Sequence, residues 1–91
     1  MKLLRQYGNN DVLLIKEFKG SRFPRLTINH DKTRNLAFFC LENNWNTNYF
    51  TIYDNGKFGS DYVVNKRQKM WIENNYKELI EIKKELLAVD N

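Results

Sequence analysis

Lys66, Arg67 and Lys69 fall in the first turn of an expected helix, where acids are the usual choice. The macrodipole is already positive there, so each base costs about 0.3–1 kcal/mol. Three cations beside free N–H groups make a candidate anion site, for phosphate or for a partner's carboxylates. The competing reading is a solvated helix end whose cost the fold tolerates. A second group interleaves bases with aromatics: Arg22-Phe23-Pro24-Arg25, together with Trp45, Tyr49 and Tyr53. Cations suit phosphates and flat rings suit bases, although aromatics in a small sheet also serve as core and cross-strand pairs. Trp45 stands between asparagines in an expected loop. Tryptophan is a favoured interface anchor, and the alternative is that it folds back to cap the sheet.

Residues for catalysis are few. His30 is the only histidine, and Asp31 beside it would point to the opposite face of a strand. A pair of imidazoles on zinc is therefore impossible, and the carboxylates Asp11, Glu42, Asp54 and Asp61 are scattered, mostly at turns. Cys40, the one cysteine, lies in the most apolar run, which favours a buried, inert thiol over a nucleophile. Phosphate-cradling glycine loops and the G-x-S-x-G elbow are missing, as are helix-turn-helix and zinc-finger spacings. Leu36–Leu41 lacks the glycine and the basic lead of an RNA-binding sheet motif. A metal-independent ribonuclease built from His, Arg, Lys and Tyr needs no fixed motif and stays open. No catalytic residue, metal ligand or cofactor is assigned.

The elements that must hold these residues follow from patterning. Apolar-rich runs at Lys2–Tyr7 and Val12–Phe18 flank the turn formers Gly8-Asn9-Asn10-Asp11. After a second turn at Lys19–Arg22, the run Phe23–Asn29 alternates, with Leu26 and Ile28 on one face and Arg25 and Thr27 on the other. Pro24 belongs at the start of that strand or on an edge. A polar connection is expected at His30–Arg34. Leu36–Leu41 reads as a central strand covered on both faces. Tyr49–Tyr53 resumes after the Asn-rich loop, with Tyr49, Thr51 and Tyr53 facing away from Phe50 and Ile52. Asn55-Gly56 suits a type I′ hairpin with positive φ at both positions, and Phe58 begins a short return strand stopped by Gly59-Ser60-Asp61.

The last third is helical. Asn65-Lys66-Arg67-Gln68 is a capping box, and Asn75-Tyr76-Lys77-Glu78 repeats the pattern. Two starts predict a helix from about 66 to 73 and another from about 76 to 88; one kinked helix is the alternative. Tyr76, Leu79, Ile80, Leu86 and Leu87 form an apolar stripe, with Trp71 and Ile72 serving the same core. The expectation is a single α+β domain over 1–91, with a sheet over 1–60 and helices over 65–88. Five or six antiparallel strands in meander-like order would be covered on one face by the helices.

Ninety-one residues suit one domain. The net charge of +4 is unevenly spread: residues 16–34 carry +4 and 57–69 carry +3, whereas 70–91 carry −2. Such segregation steers anionic partners. The longest apolar runs are far short of the roughly 20 residues a membrane span needs. A free cysteine and no export signal point to the cytoplasm, and 13 asparagines suggest an AT-rich source. The resulting expectation is a non-enzymatic module that binds a protein partner through Arg22, Arg25, Trp45, Lys66, Arg67 and Lys69. It would act as an inhibitor of the phage or mobile-element, anti-CRISPR kind, docking on a nucleic-acid-handling protein, with no membrane involved. The alternative is direct RNA or DNA binding, including a ribonuclease toxin of a toxin–antitoxin system using His30. A third reading is an antitoxin-like or oligomeric structural module.

Overall fold

Alternating burial generates the architecture. In the computed structural model, which describes residues 1–59 and 65–88, six antiparallel strands run in sequence order across one sheet. They are β1 (Lys2–Tyr7), β2 (Asn10–Glu17), β3 (Arg25–Asp31), β4 (Leu36–Glu42), β5 (Thr47–Ile52) and β6 (Phe58–Gly59). Helices α1 (Lys66–Asn74) and α2 (Tyr76–Leu87) follow. The expected α+β meander with two carboxyl-terminal helices is therefore the fold. The Ser60–Asp61 strand stop and the acidic Asp90 lie outside the described residues.

Register shows which side chains share a face. Leu13, Ile28, Phe39 and Phe50 are consecutive cross-strand partners, and Leu26 pairs with Leu41. Leu26, Ile28, Phe39, Leu41 and Phe50 belong with Ile72 and Leu79 to one core, against which Leu13, Trp71, Tyr76, Ile80, Leu86 and Leu87 are partly buried. Phe39 and Phe50 stack at 5.9 Å, and Phe18 and Trp71 meet edge to face at the same centroid distance. At about 25 cal/mol per Å2 of apolar surface, this helix-to-sheet layer is the main stabilising contact.

Four local expectations are corrected. β4 is central, but the helices pack on one face only: Leu36 and Phe38 on the other face are each 42% exposed. An apolar run can therefore mark a strand whose second face is open, because its neighbours' side chains shield the positions between. The Asn55-Gly56 hairpin is not type I′, because only Gly56 has a positive φ (+87°). Gly56 N donates to Tyr53 O and Tyr53 N to Lys57 O, the geometry of a three-residue loop with a glycine bulge. His30 and Asp31 end β3 rather than begin a loop, since both pair across the sheet. Asn75 makes no side-chain cap for α2; its amide donates to Trp71 O at 2.7 Å and closes α1 instead.

The other cap forms as expected. Asn65 Oδ1 accepts from Gln68 N at 2.9 Å, while Gln68 Oε1 accepts from Asn65 N. Gln68 is buried and donates through Nε2 to Phe23 O at 2.7 Å. The cap thus fixes the helix start against the segment between β2 and β3. Pro24 directly precedes β3, and its carbonyl accepts from Phe18 N.

Candidate interaction site at one end of the sheet

Trp45 is the most exposed of the large apolar side chains, at 85%. Its backbone is held firmly. Asn43 Oδ1 accepts from Trp45 N at 2.8 Å and from Asn46 N at 2.7 Å, while Asn43 N donates to Asn46 O. This is the local bonding that makes asparagine a turn residue. Asn43 Nδ2 also donates to Arg22 O at 3.0 Å, tying the β4–β5 turn to the β2–β3 connection. Arg25 reinforces the junction, donating through Nη2 to Asn44 Oδ1 at 3.0 Å.

The start of α1, with part of the second basic stretch, arrives at the same end. Asn65 Nδ2 donates to Ser21 Oγ at 2.8 Å, and Arg67 donates to Lys19 O and Ser21 Oγ. Segments separated by more than forty positions in sequence thus converge on the 18–24 connection. Arg22, Arg25, Trp45 and Arg67 are joined through this network, and Lys66 and Lys69 flank Arg67 on α1. The side chains are differently committed. Arg67 and Arg25 are anchored by hydrogen bonds, whereas Arg22 is exposed with its guanidinium 5.5 Å from the Phe23 ring. Asn65 occupies the Gln68 N–H, one of the helix donors on which an anion site would draw. Tyr49 and Tyr53 are not part of this end: Tyr49 lies within β5 on the open face, and Tyr53 follows its far end.

The open face carries a charge cluster that sequence reading missed. Glu42 is 1% exposed, and its carboxylate takes two hydrogen bonds from Arg5 and one from Arg25 Nε at 3.3 Å. Burial alone would push this carboxyl up. The two guanidinium groups outweigh that and hold it below its ordinary value. Arg25 therefore works in two directions, pairing Glu42 and gripping the Trp45 turn. Further along this face, Tyr7, Asn29, Phe38 and Tyr49 help to line a cleft of about 430 Å3. Asn29 donates to the Tyr7 hydroxyl at 2.8 Å, while its Oδ1 has no partner among the described residues.

Two groups considered for catalysis are confined. Cys40 is 1% exposed, and burial pushes its thiol up to about 12. His30 is buried beside Asn35 Oδ1, 3.3 Å from Nε2. Among the described residues there is no group of three His, Cys, Asp or Glu able to hold a metal, and no helix is long and apolar enough to cross a membrane. Comparison with family models, with curated proteins and with solved structures gives no match.

Proposed function

We infer that the protein is a non-enzymatic module that docks on a protein partner through the Trp45 end of its sheet. The observation that carries this reading is a tryptophan 85% exposed on a turn braced by three hydrogen bonds to Asn43. A large rigid side chain held out by a fixed backbone loses little entropy on binding, which is the economy of a hot-spot anchor. Arg22 and Arg25 are tied to its turn, and Arg67, with Lys66 and Lys69 beside it on α1, is tied to the neighbouring β2–β3 connection; positive charge of this kind suits a partner with acidic surface. The free Cys40 fits a reducing compartment such as the cytoplasm.

Capture from the native host tests the reading. Wild-type chain should retain a stoichiometric protein, and Trp45→Ala should lose it while its melting temperature is unchanged. Equal retention by the alanine variant removes Trp45 from the site. Tight binding of RNA or DNA oligonucleotides, falling steeply with salt, would favour direct nucleic-acid recognition instead.

A further inference from the structure

The cleft between the end of β2 and the exposed side of α1 shares Arg67 with the Trp45 end, and its other lining residues have no part in that site. Its volume is about 390 Å3, within the range of small ligand pockets. Phe18, Met70 and Trp71 give it apolar walls, and Lys16, Lys19 and Arg67 bring three cations; Glu17 is the one carboxylate lining it among the described residues. Met70 is half exposed, and Lys16 Nζ sits 5.8 Å from the Trp71 ring centroid. Lys66 and Lys69 lie on the same helix, whose first turn contains no acid. The cleft adjoins the Trp45 end, because Arg67 donates to Lys19 O and Ser21 Oγ while Arg22 O accepts from Asn43.

We propose that this cleft receives an acidic polypeptide segment of the partner, with an apolar side chain seated against Met70 and Trp71 and flanking carboxylates paired with Lys16 and Lys19. The inference rests on the reading of the protein as a partner-docking module and names the chemistry of that partner. Charge complementarity selects an anion. Tryptophan, methionine and arginine in one patch are the composition of protein interfaces. A nucleic-acid track would instead need cations following a phosphate backbone. Here the Arg67 guanidinium is already engaged with the 19–21 backbone and hydroxyl. The lysine ammonium groups remain to meet carboxylates, and the apolar walls supply what a phosphate chain would leave unused.

The probe is a short synthetic peptide alternating Glu and Leu, compared with an all-Glu peptide and with single-stranded DNA and RNA oligonucleotides of equal length. Backbone amide shifts and binding isotherms would be recorded on the intact chain. The Glu/Leu peptide should bind most tightly, with shifts concentrated at residues 16–19 and 67–74. Lys16→Glu with Lys19→Glu should weaken it about tenfold, and Met70→Glu should also weaken it. Both sets of substitutions are at exposed positions, and retained thermal melting confirms that the domain is folded. Trp45→Ala should leave peptide binding unchanged, so failure of the cleft and failure of the Trp45 anchor are read separately. Absence of saturable Glu/Leu binding, shifts elsewhere, or tighter binding of an oligonucleotide would overturn the proposal.

Discussion

Glu42 shows how one side chain organises both strength and display. Its carboxylate is buried under Arg5 and Arg25, while the Arg5 side chain remains 44% exposed. Removing one member of a fully buried pair costs about 3–5 kcal/mol. Solvent around Arg5 reduces that, so Glu42→Gln should lower stability by roughly 2 kcal/mol in urea denaturation. The pH dependence has a defined sign. The folded carboxyl lies below its ordinary value of 4.5, so its contribution is complete above the unfolded value and is lost as pH falls through the folded one. Asp11, held down by Gln6 and Lys32, acts in the same direction. Acid titration should therefore destabilise the wild type, and Glu42→Gln should flatten that loss; an unchanged acid limb would exclude Glu42 as its source. Cys40 gives a simpler test. With its thiol buried and pushed up to about 12, it should resist a thiol reagent at about pH 8 until denaturant is added.

Element by element, local pattern and long-range pairing contributed differently. Period-two alternation located Arg25 and Thr27 opposite Leu26 and Ile28, and the Asn65–Gln68 box located the start of α1, because both signals are local. The hairpin after β5 was legible as a hairpin but not as a type: Asn-Gly suits type I′, yet Lys57 O and Tyr53 N impose a glycine bulge. Gly56→Ala should reveal that constraint. Its φ of +87° disfavours a Cβ, and the added atom would lie 3.1 Å from the Tyr76 ring. About 2 kcal/mol of destabilisation is expected in chemical denaturation, with left-handed backbone strain alone accounting for roughly 1–2 kcal/mol. What could not be read were contacts between distant segments. Arg5 and Glu42 are 37 positions apart, and no spacing rule joins them before the order of β1 to β4 is known. The candidate site was legible residue by residue, since Trp45 and the bases are conspicuous by type. Its assembly was not, because Ser21, which joins α1 to the β2–β3 connection, has no distinctive signal in the sequence.

For the molecule as a whole, the fold separates two tasks. The helices cover one sheet face and make the core, and the β2–β3 connection gathers the amino end of α1 and the Trp45 turn at one end. Arg22 and Arg25 from one basic stretch and Arg67 from the other are linked there, whereas Lys32, Arg34 and Lys57 sit in the turns at the opposite end of the sheet. An acidic partner should consequently associate more slowly as ionic strength rises, because screening shortens the reach of these charges. Dissociation should be governed by how fully the exposed Trp45 anchor becomes buried in the complex. The decisive measurement is isothermal titration of the captured partner with wild-type and Trp45→Ala chains at equal salt, each shown to be folded by its melting curve. The account predicts a loss of roughly 30-fold in affinity, the scale of a 2 kcal/mol hot spot. Affinities equal within error would contradict it.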